Sequence, residues 1–433
     1  MLVDQINTLN ANEINSFQEK ELETLLHYLS LNSTFYKKMF SDNDIQIKEI
    51  KTIIDLQKIP FTTKEDLQKH NEDFICVQPV HIIDYITTSG TMGDPVTIAL
   101  TDKDLDRLAC NEYNSFKITG GSNVDIYQLM TTIDKRFMAG LAYFLGVRKL
   151  GAGIVRVGNG IPELQWDTIK RISPTTIICV PSFILKLVAY AEKNEIDYKN
   201  CSIKKAICIG EPLRNEDFSL NKLAEKINEK WKLQLFSTYA SSEMQAAFTE
   251  CEAGKGGHLQ ADLLIIEIVD ENDKIVLPGE SGELVITTLG VEGMPLLRFK
   301  TGDICRMYTG VCSCGRHSPR ISPVLGRKKQ MIKYKGTTLY PSALYDILDT
   351  IEGVNNYQVE VCTNEIGTDE IIIRIDAKQF SENLENEIKD HFRARLRVAP
   401  TIKLENTDTI NKLLFPVMSR KPVKFIDKRK NSI

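Results

Sequence analysis

The chain has no apolar run of the roughly 18–20 residues that a bilayer-crossing helix requires, so no membrane role is expected. It also lacks a strong charge of one sign. With 54 basic against 58 acidic side chains the net charge is −4, which does not support the basic footprint of a nucleic-acid-binding protein. Glycine (25) and proline (15) are too few for a collagen-like or low-complexity chain. The opening Met1-Leu2-Val3-Asp4-Gln5-Ile6 is polar and acidic within four residues, unlike a secretory signal. Ten cysteines without such a signal predict reduced thiols in the cytoplasm, most of them small core residues. What is present, 42% apolar and 26% charged residues over 433 positions, is the mix of a soluble globular protein of several domains.

Residues 12–58 read as helical, with Phe17, Leu22, Leu25, Leu26 and Leu29 near the 3.6-residue repeat. Ile59-Pro60-Phe61 then leads into a helix capped by Thr62 or Thr63, where Glu65 and Asp66 suit the positive helix start. From about 125 to 240 short apolar runs alternate with amphipathic stretches. Strands are expected at Thr175–Val180, Ala206–Ile209 and Leu233–Phe236. A helix capped by Ser182 and another near 215–231 lie between them. Strands alternating with helices predict a parallel α/β sheet. After residue 258 short β-rich runs, Leu263–Val269, Glu283–Thr288 and Ile304–Tyr308, predict an antiparallel or barrel-like subdomain. Beyond Gly326-Arg327, a helix at Ser342–Ile351 and strands at Tyr357–Cys362 and Glu370–Ile375 predict a small α+β domain. The expected division is therefore a large N-terminal domain, 1–326, and a C-terminal α+β domain, 327–433.

Three stretches carry chemistry. Thr87-Thr88-Ser89-Gly90-Thr91-Met92-Gly93 combines hydroxyls that can donate to an anion with glycines that allow a tight turn. Gly93 is followed by Asp94-Pro95 rather than Gly-Lys-Ser/Thr, so a P-loop ATPase is not indicated. Ser237-Thr238-Tyr239-Ala240-Ser241-Ser242-Glu243 follows an apolar strand, and the carboxyl ends of parallel strands are where such folds bind ligands. Glu243 can hold a hard cation such as magnesium or simply sit in solvent at a helix start. Asp303, after Thr301-Gly302, is a turn residue or an acceptor for vicinal hydroxyls. Separately, Cys251, His258, Cys312 and Cys314 have the ligand types of a closed tetrahedral zinc site, with His317 as a substitute ligand. Free core thiols or a redox-active pair are the competing readings.

Taken in order, these segments resemble the adenylate-forming acyl-CoA synthetases, most closely the phenylacetate–coenzyme A ligase branch. The resemblance runs from Ile59-Pro60-Phe61-Thr62-Thr63-Lys64 through the Thr88-Ser89-Gly90-Thr91 loop, Gly210-Glu211-Pro212, Tyr239–Glu243 and Thr301-Gly302-Asp303 to Gly326-Arg327. It implies an N-terminal adenylation domain that binds ATP and a carboxylic acid, and a mobile C-terminal domain. The reaction it implies is ATP-dependent formation of acyl-AMP followed by transfer to coenzyme A. By resemblance, Ser89, Gly90, Thr91 and Gly93 line the β- and γ-phosphates, and Gly210, Glu211 and Pro212 border the adenine. Tyr239 flanks the base, Ser242 touches the α-phosphate and Glu243 binds magnesium. Asp303 accepts from the ribose, Arg327 lies at the hinge, and Lys421 is the adenylation lysine. Some members of the branch carry the same Cys…His…Cys-x-Cys pattern as structural zinc.

The sequence departs from the family pattern at Asp94, where Lys or Arg is usual, and at Ala240, Gln330 and Arg420. The segment after Lys335-Gly336 also lacks the usual Asn. The branch favours aryl acids, and Phe137, Tyr143 and Phe183 are either a pocket wall or core. Other readings stay open: a carrier-protein phosphopantetheine or an enzyme cysteine as acceptor, a catalytically silent nucleotide-binding protein, and a homodimer.

Overall fold

In the computed structural model the described residues are 6, 8–88, 96–334, 337–363, 369–377, 382–396, 398–416 and 422–429. Asn10 opens the first helix, Ala11–Asn32, through a capping box with Glu13. Ser33 ends it and caps the next helix, Thr34–Asp42, by accepting from the Tyr36 N–H. The expected helix over 12–58 stops there. Asp44 takes a left-handed φ of 52°, and the rest of the stretch contains only the short turns Ile47–Glu49 and Ile54–Lys58. The first helix is docked by distant residues. Gln18 Nε2 donates to the carbonyls of Ala261 (2.9 Å) and Leu264 (2.8 Å), and the Tyr28 hydroxyl donates to that of Glu292 (2.8 Å).

The chain divides into two compact units. One holds the described residues up to Thr301 together with Cys305–Pro323; the other holds Gly302–Ile304 together with those from Val324 onward. In the larger unit, five parallel strands run side by side in the order Gln234–Ser241, Lys205–Ile209, Thr176–Cys179, Ile126–Leu129, Gly153–Arg156. Helices Pro162–Ile172, Pro181–Lys193 and Lys222–Lys230 lie between strands in sequence, as crossovers require. Trp166, Leu187, Val188, Ile227 and Trp231 pack with Ile177 and Ala206 in one core. Phe116, Tyr127, Tyr143 and Val147 pack with Ile178 and Ile207 in another, so the sheet is buried on both faces. Tyr143 is thus core.

Beyond Gln234–Ser241 the same sheet continues through Ala246–Glu250, Gly257–His258 and Arg320–Ile321, each antiparallel to the last. Phe299–Tyr308, Ser281–Thr288 and Leu264–Val269 follow in that order, and Gly326–Arg327 pairs with Phe299–Tyr308 as the twelfth strand. Ser182 corrects a local expectation. Val180 stands at the cap position without a side-chain bond, Pro181 opens the helix, and Ser182 is inside it.

In the smaller unit, strands order as Thr401–Leu404, Asp369–Ala377, Val354–Thr363, Phe425–Asp427. Helices Pro341–Leu348, Glu382–Leu396 and Thr407–Leu414 accompany them. Leu344, Ile347, Val359, Ile373, Ile388 and Phe392 form its core. No helix among the described residues is long and apolar enough to cross a membrane.

Candidate active site and metal cluster

The sheet brings two of the expected segments to neighbouring strand ends. Gly210 follows Lys205–Ile209, whose Ile209 pairs in register with Thr238 of Gln234–Ser241. Gly210 turns at φ 78°, in the left-handed region that a residue without Cβ adopts freely. The Glu211 carboxylate accepts from both the N–H and the hydroxyl of Ser182, each at 2.9 Å. It therefore latches its loop to the start of helix Pro181–Lys193. The Pro212 carbonyl accepts from Asn221 Nδ2 at 2.8 Å, and Asn221 caps helix Lys222–Lys230. Tyr239 stacks on Phe248 with ring centroids 5.9 Å apart. Glu243, mostly buried, receives Lys64 Nζ at 3.6 Å.

Lys64 had no role assigned from sequence, although it lies in the Ile59–Leu67 segment. Thr63 is the residue that caps helix Lys64–Lys69, in a capping box with Asp66, and it sets Lys64 at the first helical position. The segment before it is held from the far side. Thr62 donates its N–H to the Arg298 carbonyl (3.0 Å), and Arg298 Nη1 donates to the Ile59 carbonyl (2.5 Å). The Arg298 guanidinium also lies 4.0 Å from the Phe61 ring centroid and pairs with buried Glu267 at 2.8 Å.

Ser89, Gly90, Thr91, Gly93, Asp94, Arg420 and Lys421 lie outside the described residues, as do Lys335 and Gly336. The residues flanking the first group are tied together: the Thr88 N–H donates to the Val96 carbonyl (3.0 Å), and the Val96 N–H donates to Thr88 Oγ1 (3.1 Å). In the smaller unit, Asp303 and Arg327 are register partners, and Arg327 Nε stands 3.3 Å from Asp303 Oδ1. Gly326 can hold no Cβ, since one would meet the Tyr340 ring at 2.2 Å.

Cys251, His258, Cys312 and Cys314 converge, with one ligand atom from each and all four atoms within 4.8 Å of one another. Cys251 Sγ is 3.7 Å from Cys312 Sγ, and Cys314 Sγ is 3.5 Å from His258 Nε2. With Zn–S near 2.3 Å and Zn–N near 2.0 Å, a tetrahedron has edges of about 3.5–3.8 Å, so these separations fit zinc. Burial and the charges of Arg316 and Arg320 lower the His258 pKa to about 3, which keeps the imidazole neutral as a ligand must be. Ser318 Oγ lies 3.4 Å from its Nδ1 and orients the other nitrogen toward the cluster. Burial pushes the Cys251 thiol up to about 12. The cation that the donors imply would reverse that preference. His317 is not a member of the group.

A model of the AMP-binding enzyme family matches residues 15–293, and one of the AMP-binding enzyme C-terminal domain matches residues 336–429. The chain is 29% identical to phenylacetate-coenzyme A ligase of Thermus thermophilus, over 88% of its own length and 85% of that protein. It is 28% identical to the phenylacetate-coenzyme A ligase of Escherichia coli, over 89% and 87%. Its fold matches the crystal structure of 2-hydroxyisobutyryl-CoA ligase in the postadenylation state at a TM-score of 0.83. That match covers 98% of this chain and 91% of the other at 20% identity.

Proposed function

Since the chain belongs to the AMP-binding enzyme family, we propose that it converts a carboxylic acid, of the aryl class, into its coenzyme A thioester through an acyl-AMP. The similarity to two phenylacetate-coenzyme A ligases across nearly the full length of both partners carries the reading. In the first half-reaction a carboxylate oxygen bonds to the α-phosphorus of ATP as the bond to pyrophosphate breaks. In the second the coenzyme A thiol gives up its proton and attacks the acyl carbon, and AMP leaves with the bonding pair. Neither step needs a nucleophile from the enzyme, so rate enhancement rests on orienting the reactants and neutralising charge.

Within this reading the adenylation domain is 1–326 and the C-terminal domain 327–433. Ser89, Gly90, Thr91 and Gly93 receive the β- and γ-phosphates, and Ser242 the α-phosphate. Gly210, Glu211 and Pro212 border the adenine through their backbone, because the Glu211 carboxylate is engaged by Ser182. Tyr239 flanks the base, Asp303 accepts from the ribose, and Arg327 serves the hinge. Lys421 bridges the acyl carboxylate and the α-phosphate. Glu243 is the residue to hold magnesium, which when bound supplies positive charge to the phosphates. Lys64, beside Glu243, adds a cation on the same side, in a chain whose phosphate loop carries Asp94. Cys251, His258, Cys312 and Cys314 would hold a structural zinc, and four protein ligands would leave it no open position for catalysis. Its thiolates suit a reducing compartment such as the cytoplasm.

The test is acid-dependent exchange of labelled pyrophosphate into ATP with a panel of aryl, fatty and amino acids. Exchange is expected with an aryl acid. Lys421→Ala should lower it by about 100-fold or more while sparing thioester formation from supplied acyl-AMP. No exchange with any acid rejects the activity, and equal loss of both half-reactions rejects the role of Lys421.

A further inference from the structure

Glu250 lies between the metal cluster and both nucleotide-side segments. It is 1% exposed, ends strand Ala246–Glu250 and is followed directly by Cys251. Its carboxylate accepts three hydrogen bonds. Arg214 donates from Nε to Oε2 (2.6 Å) and from Nη2 to Oε1 (3.1 Å), and the Ser237 N–H donates to Oε1 (2.8 Å). Arg214 is next but one after Pro212, and Ser237 opens the run to Glu243. One buried carboxylate thus fixes the loop after Gly210 and the strand that carries Tyr239. Arg214 is confined as well: Nη1 donates to the Phe218 carbonyl (3.1 Å), and a Cβ on Gly254 would meet Nη2 at 2.3 Å.

The cluster holds the other side of Glu250. Thr249 pairs with His258 and Glu250 with Gly257, and Gly257–His258 pairs in turn with Arg320–Ile321, which follows Cys312 and Cys314 in the chain. An ion bonded to all four ligands would cross-link these segments at the residue next to Glu250. A bidentate guanidinium–carboxylate pair is directional, so it holds Arg214 in one orientation only while the carboxylate backbone is fixed.

We propose that Glu250 is a positioning residue that couples metal occupancy of the Cys251–His258–Cys312–Cys314 cluster to nucleotide affinity, through Arg214 and Ser237. The proposal rests on the nucleotide and zinc readings given above, and it extends them by giving the zinc a functional consequence. Coupling of this kind is reciprocal: the factor by which zinc tightens nucleotide binding is the factor by which nucleotide tightens zinc.

The test uses the full chain, zinc-loaded and zinc-depleted, with AMP as the probe because it requires neither magnesium nor acid. Calorimetry gives the AMP Kd, and a chromophoric chelator gives zinc affinity with and without AMP. Removing zinc should weaken AMP binding about fivefold or more, and AMP should tighten zinc by the same factor. Zinc-loaded Glu250→Gln should bind AMP as weakly as the depleted parent and show no further response to zinc. Arg214→Lys, which keeps the charge and loses the two-pronged contact, should behave alike. An AMP Kd that moves less than twofold on zinc removal overturns the proposal, as does a full zinc response in both variants. Failure of the supporting readings shows separately and overturns the proposal too: no zinc by elemental analysis for the cluster, no AMP binding by the loaded parent for the nucleotide site.

Discussion

A carboxyl group buried without a counter-charge resists ionisation, and Glu112 is such a group. Burial raises its pKa from 4.5 to about 8 against the opposing pull of a hydrogen bond from Asn111, and Oε2 finds no hydrogen-bond partner. The folded value lies above the unfolded one, so the native chain keeps a proton that the unfolded chain releases between about pH 4.5 and pH 8. The stability tied to this group is intact below that window and declines as pH rises through it, by up to about 1.4 kcal/mol per pH unit. Glu112→Gln should remove that part of the slope, so the variant gains on the parent between pH 6 and pH 8 in urea unfolding. An unchanged difference between the two proteins would mean that Glu112 is ionised when folded. Nothing in the sequence around Glu112 announced it, because an acid one position after Asn111 on an amphipathic helix reads as solvent-facing. The candidate site residues were nominated from sequence for the opposite reason. Gly210, Tyr239, Glu243 and Asp303 stand in short local motifs, whereas Ser182, Arg214 and Glu250 acquire their roles only through partners 13 to 36 residues away.

Glu112 is buried because two helices meet at its position. Helix Asp102–Ile118 packs on helix Met138–Leu150 with Gly146 at the contact, where an added Cβ would meet Glu112 Cβ at 2.3 Å and its backbone at 3.0 Å. A methyl group there forces the helices apart, and Gly146→Ala should cost about 1–3 kcal/mol despite the better helix propensity of alanine. Thermal unfolding checks this; a rise in Tm would show that the interface yields. Periodicity located these elements well where a strand is buried on both faces, as at Thr176–Cys179 and Leu264–Val269, because continuous β-branched and aliphatic runs leave few alternatives. It failed over 43–58, where apolar residues such as Ile53, Ile54 and Leu56 keep a helix-like spacing while the backbone takes 3₁₀ turns. It also stopped Leu233–Phe236 short: the strand runs on to Ser241 because its polar residues pair with Ala246–Glu250.

Both tryptophans of the chain, Trp166 and Trp231, lie in one core of the larger unit with ring centroids 5.5 Å apart. Tryptophan fluorescence therefore reports that unit alone, whereas far-ultraviolet circular dichroism reports both. Two compact units with separate cores predict urea transitions that do not coincide when followed by the two signals. Superimposable curves would show that the units unfold as one. At this scale the order of motifs and the change from alternating strands and helices to antiparallel strands were readable from the chain. The long-range attachments were not, since Gln18, Tyr28 and Arg298 carry no local signal of what they hold.

The docking of the first helix onto Ala261 and Leu264 sets a timetable for the ribosome. Roughly 240 residues must follow Gln18 before its acceptors exist, about ten to fifty seconds at ~5–20 residues per second. Throughout that interval the helix that carries Leu22, Leu25, Leu26 and Leu29, all buried in the finished protein, lacks its tie to Ala261 and Leu264. A helix that waits this long for its anchor keeps its apolar face within reach of other chains, the kind of stretch that chaperones grip.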